Sequence, residues 1–65
     1  MFVEIQDQLF NPKYIINVSK AEDVCRMYIT TIEKVGNENR CEILVYRSAK
    51  ELMVDYYKLK HYKHQ

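Results

Sequence analysis

The sequence predicts an α+β domain: a four-stranded antiparallel β-meander with one C-terminal α-helix packed on one face. Three observations carry that expectation. Short apolar, β-branched-rich runs separated by polar breaks fill the chain up to Arg47, which is how half-buried strands read. The only glycine, Gly36, stands between two such runs. From Ser48 onward the apolar period changes to that of a helix, and no Gly or Pro interrupts Ala49 to Tyr62.

Phe2-Val-Glu-Ile5 reads as a short strand with Val3 and Ile5 on one face, and Gln6-Asp-Gln8 as a polar turn. Leu9-Phe10 restart an extended segment that Asn11-Pro12 interrupts, because proline lacks an amide donor and pushes the preceding residue toward extended geometry. Lys13 to Lys20 is the next strand, with Tyr14, Ile16 and Val18 aligned. Ala21-Glu-Asp23 turns the chain into Val24–Val35, which is dense in residues that suit a pleated surface. Gly36-Asn-Glu-Asn39 is turn chemistry, and Arg40–Arg47 resumes the strand. Neighbouring strands joined by short connections pair, hence the meander.

The register expected for the last hairpin closes a three-residue loop with Asn39 left-handed. It sets Lys34 opposite Glu42, Ile32 opposite Leu44 and Thr31 opposite Val45. A loop one residue tighter would set Glu33 against Glu42, a destabilising like-charge pair.

Ser48-Ala-Lys-Glu51 matches the capping box, in which the serine side chain accepts from a free amide at the helix start. Ala49, Leu52, Met53, Tyr56 and Leu59 then form an apolar stripe. Lys58, Lys60, His61, Lys63 and His64 crowd the C-terminal end, where positive charge complements the helix dipole.

The expected core is Val3, Ile5, Tyr14 or Ile16, Met27, Ile29, Ile43, Val45, Leu52, Tyr56 and Leu59. One helix covers one sheet face, yet Tyr28, Ile32, Leu44 and Tyr46 fall together on the other in this register. Val54 and Tyr57 give the helix a second apolar flank. Exposed apolar surplus of this kind marks an interaction surface.

Leu9-Phe-Asn-Pro-Lys-Tyr-Ile15, followed by a hairpin and a capped helix, resembles short uncharacterised bacterial and phage proteins with an L-x-N-P-x-x-I stretch before a hairpin and a terminal helix. The resemblance implies a β-meander-plus-helix fold and a bacterial or phage origin. It implies no activity and no site residues.

The chain has 65 residues, two cysteines, six tyrosines and a formal charge of +1. A single domain this small buries only about 60% of its unfolded surface, so self-association, disulfides or metal commonly supplement its core. Met1-Phe-Val-Glu4 does not read as a secretory signal. The expected register separates Cys25 from Cys41 by several residue steps, too far for a disulfide. Two reduced, buried thiols in a cytoplasmic protein follow, and self-association is left as the supplement. No apolar run reaches the ~20 residues of a membrane span. The near-neutral charge exerts little general pull on nucleic acid.

No catalytic set emerges. His61 and His64 lack a third metal ligand, Arg26 and Cys25 point to opposite faces of a strand, and Glu51 and Asp55 share one helix flank with lysines. No metal or cofactor is expected. The function expected is therefore a non-enzymatic, self-associating interaction or regulatory module, a dimer above other orders, with a protein partner allowed. Its interface candidates are Tyr28, Ile32, Leu44, Tyr46, Val54 and Tyr57. The alternative is a nucleic-acid binder using Lys58, Lys60 and Lys63, whose lysines would contact phosphates while neighbouring tyrosines stack on bases.

Overall fold

A computed structural model describes residues 2–63; the side chain of Lys63 and all of His64, both expected at the basic C-terminal end, lie outside the described residues. The chain is α+β, with one helix and two antiparallel sheets in place of one four-stranded meander. A two-stranded sheet joins β1 (Val3–Ile5) to β2 (Gln8–Phe10). A three-stranded sheet has the order β3 (Ile15–Ala21), β4 (Arg26–Val35), β5 (Glu38–Val45). The helix α1 spans Ala49–Lys63.

The break between the sheets comes from the Asn11-Pro12 step. The Asn11 side chain accepts a hydrogen bond from the Lys13 amide at 3.0 Å, and Pro12 occupies the first position of a 3₁₀ turn, Pro12–Tyr14. A proline there sacrifices no needed donor and its fixed φ suits the turn. The extended restart at Leu9-Phe10 therefore becomes a strand of its own, folded back on β1. The Gln6-Asp7 turn between them holds both residues at positive φ, +50° and +64°, the geometry of the tightest hairpins. A second 3₁₀ turn, Glu22–Val24, separates β3 from β4 and ends on Cys25 in the left-handed region.

The core is a single cluster in which Val3, Ile5 and Phe10 meet Ile15, Val18, Met27, Ile29, Leu44, Tyr46, Leu52 and Leu59. The small hairpin and the helix thus share one face of the large sheet. The helix lies chiefly over β3 and also touches both 3₁₀ turns and β4. The Ser48 hydroxyl accepts from the Glu51 amide at 3.2 Å, one arm of the expected capping box. Lys58 Nζ donates to the Glu4 carbonyl at 3.0 Å and fastens the helix to β1.

Several expected core positions are corrected. Tyr14 and Ile16 are exposed, while Ile15 and Val18 are buried. A bulge between Ile15 and Asn17 adds one residue, so positions three apart share a face. Ile43 and Val45 are also exposed, at 56% and 62%, and their neighbour Leu44 is buried at 3%.

The cause is the hairpin register. The loop is two residues, Gly36-Asn37, with Val35 opposite Glu38 and Gly36 at φ +66°. Asn39 lies in the strand opposite Lys34. Beyond an irregularity in β4, Thr30 faces Cys41, Ile29 faces Glu42, Tyr28 faces Ile43 and Met27 faces Leu44. Relative to the expected register this is an odd slip, which exchanges the two faces of β5 against β4. Glu33 and Glu42 do not face each other in this register, and Arg40 reaches Glu33 at 3.3 Å and Glu42 at 2.6 Å. Glu42, then Glu33, raise the Arg40 pKa above its ordinary value.

Candidate interaction surfaces

The six expected interface residues separate. Leu44 and Tyr46 belong to the core, a correction that follows directly from the register. Tyr46 reaches across to the helix, where its hydroxyl donates to Asp55 Oδ2 at 2.8 Å. Burial, followed by the hydrogen bond and charge of Asp55, pushes the phenol well above its ordinary pKa. Ile32 is exposed at the irregular part of β4, where it lines a groove of about 530 Å³ together with Leu9, Phe10, Tyr14 and Arg40. The Thr31 hydroxyl beside it is buried without a hydrogen-bond partner among the described residues. Val54 is exposed at a second cleft shared with Gln6, Tyr46 and Asp55, and Tyr57 is exposed edge-on to the Tyr56 ring at 5.5 Å.

Tyr28 alone of the quartet stays on the uncovered sheet face, half-buried. Its cross-strand partner is Ile43, and Val45 lies two residues further along β5. Both were expected in the core. The uncovered face therefore carries an apolar cluster of different membership, Tyr28, Ile43 and Val45, with Thr30 and the exposed Cys41 paired alongside and Arg26, Ser19 and Asn17 as its polar neighbours. The signal that could have located them is the alternation Cys41-Ile43-Val45 against Glu42-Leu44-Tyr46, which needs only the register to be read correctly.

Cys41 was expected to be buried; it is exposed, and Cys25 is half-buried against the core. Both are free thiols.

The basic helix end is already engaged in part. Lys58 is tied to β1, and Lys60 and Lys20 lie over the Tyr56 ring at 5.5 and 5.3 Å. Cations placed so gain from the ring quadrupole. Among the described residues, no group of three or more His, Cys, Asp or Glu is arranged to hold a metal ion. No described helix is long and apolar enough to cross a membrane.

The outer edge of β5 completes the surface. The Tyr46 amide donates to the Cys25 carbonyl at 2.8 Å, and these two residues stand opposite each other. In an antiparallel ladder, residues that exchange bonds with the partner alternate with residues whose amide and carbonyl point away. Tyr46, Leu44 and Glu42 thus face β4, while Val45, Ile43, Cys41 and Asn39 face outward. The Val45 carbonyl is occupied by Gln6 Nε2 at 2.9 Å.

No family model, curated protein or solved structure matches this chain.

Proposed function

We propose that this chain is a non-catalytic interaction module that self-associates through the uncovered side of its large sheet, bounded by β5. The observation that supports the reading is the pairing of Ile43 and Val45, both more than half exposed, with Tyr28 on the face that neither the helix nor the small hairpin covers. Apolar side chains set together on a strand beside an open edge are stabilised by a second layer or a further strand. A chain of 65 residues also gains more from such burial than a large domain does. The engagement of Lys58 and Lys60 within the molecule weighs against the nucleic-acid reading.

Light scattering across a concentration series tests the proposal. The native chain is expected to run as a dimer at micromolar concentration, and Ile43→Asp is expected to run as a folded monomer. A native chain that stays monomeric at high micromolar concentration defeats the reading.

A further inference from the structure

The outward backbone groups of β5 determine how two copies would meet. Asn39, Cys41 and Ile43 present unpaired amides and carbonyls at the edge, and the next outward carbonyl, at Val45, is taken by Gln6. A two-fold axis pairs two antiparallel β5 strands so that each outward residue faces another outward residue.

Only a few registers satisfy that condition. Centring the axis on Arg40 sets Arg40 against its own copy, and centring it on Glu42 sets Glu42 against its copy; both place like charges directly opposite. Centring it on Ile43 requires the Val45 carbonyl that Gln6 occupies. Centring it on Cys41 uses the three free outward residues and no others. Asn39 then faces Ile43 of the second copy, Cys41 faces Cys41, and Arg40 faces Glu42 in both directions. Because Arg40 already contacts Glu42 within its own strand at 2.6 Å, the four side chains form a ring of alternating charge.

We propose that two copies of this chain join β5 to β5 in antiparallel register about Cys41, making one continuous six-stranded sheet. This rests on the self-association reading and places the contact at the β5 edge that bounds the uncovered face, leaving the face itself open. The pairing supplies roughly six backbone hydrogen bonds, two for each exchanged pair. It places the two Cys41 α-carbons about 5.5 Å apart, inside the range a disulfide spans. The apolar outer faces of the two sheets become contiguous, with Tyr28, Ile43 and Val45 contributed twice.

The test uses the full chain, with oxidised glutathione as the trapping reagent. Two Cys41 thiols give up two electrons and two protons to form one disulfide, and one oxidised glutathione becomes two reduced molecules. A covalent dimer is expected in the native chain and in Cys25→Ser, and is expected to be lost in Cys41→Ser.

Charge variants probe the same register without oxidation. Glu42→Arg sets Arg against Arg at two places and should raise the dimer dissociation constant about tenfold or more. Arg40→Glu combined with Glu42→Arg restores the alternation and should return the constant to within about threefold of native. Ile43→Pro removes an amide that points away from β4, so the monomer's ladder survives. It should abolish the dimer while circular dichroism stays native.

A dimer that neither cross-links through Cys41 nor responds to these variants overturns the edge pairing and leaves self-association through the sheet face standing. A chain that is monomeric throughout overturns both.

Discussion

The two outer strands of the large sheet, β3 and β5, are built to opposite plans. β3 carries a bulge at Ile16, begins and ends in 3₁₀ turns, and lies beneath the helix. Bulges that twist an edge and elements that cover it are the usual devices by which proteins prevent edge-to-edge addition. β5 has no proline and no lysine. Its C-terminal part alternates between a buried and an exposed face along Glu42 to Tyr46, while Glu38 to Cys41 are all exposed. Its edge is protected by the Gln6 side chain at Val45 and by the charges of Glu38, Arg40 and Glu42. The difference is that the devices against edge addition gather on β3, while β5 keeps a regular edge, which is the edge the proposed pairing uses.

The sharpest way to break the comparison is to truncate one residue on each face of β5. Leu44→Ala removes a side chain that is almost fully buried and should cost about 2–5 kcal/mol. Val45→Ala, one residue away and exposed, should cost about 1 kcal/mol or less. Urea denaturation of the two variants measures both. Equal costs would mean that the register described for β4 and β5 is wrong.

The next effect concerns the tether between β5 and the helix. Tyr46→Phe deletes the hydrogen bond to Asp55 and should cost about 1–2 kcal/mol at neutral pH. The folded state raises the Tyr46 pKa, so the unfolded chain releases its phenolic proton first, near an ordinary pKa of about 10. Stability from this group is complete below that pH and declines as pH rises through the folded value. Denaturation curves between neutral and strongly alkaline pH should show a shallower alkaline decline in Tyr46→Phe than in the native chain.

The smallest effect sharpens the account of the open edge. Gln6→Ala should cost about 0.5–1.5 kcal/mol, the net contribution of an ordinary hydrogen bond. Its larger consequence is on assembly. Freeing the Val45 carbonyl permits the register centred on Ile43, in which Cys41 faces Val45 of the second copy, so the yield of Cys41 cross-link should fall.

Local chemistry made much of the fold legible. Ser48 marks the helix start by its own hydroxyl, and Leu52 and Leu59 follow at a spacing that any straight helix turns to one side. Gly36 marks the hairpin because few other residues accept its φ. Val3 and Ile5, or Met27 and Ile29, are two apart on unbulged strand, so each pair must share a face. The helix, the antiparallel pairing and six of the eleven core residues, Val3, Ile5, Met27, Ile29, Leu52 and Leu59, depend on such short-range rules.

The division of the strands into two sheets, and the face that β5 presents, depend on contacts between distant residues. Strand alternation says that Leu44 and Val45 point oppositely; it does not say which points inward. That is decided by the pairing with β4, where Leu44 stands opposite the fully buried Met27 and Val45 opposite the exposed Arg26. The bulge at Ile16 likewise has no local signature, and it alone brings Ile15 and Val18 to one face. The candidate surface moved with these choices: Leu44 and Tyr46 went into the core, Ile43 and Val45 came out beside Tyr28. A period of two converts one odd step of register into a complete exchange of faces, so residue type determined that an apolar surface exists and tertiary pairing decided which residues form it.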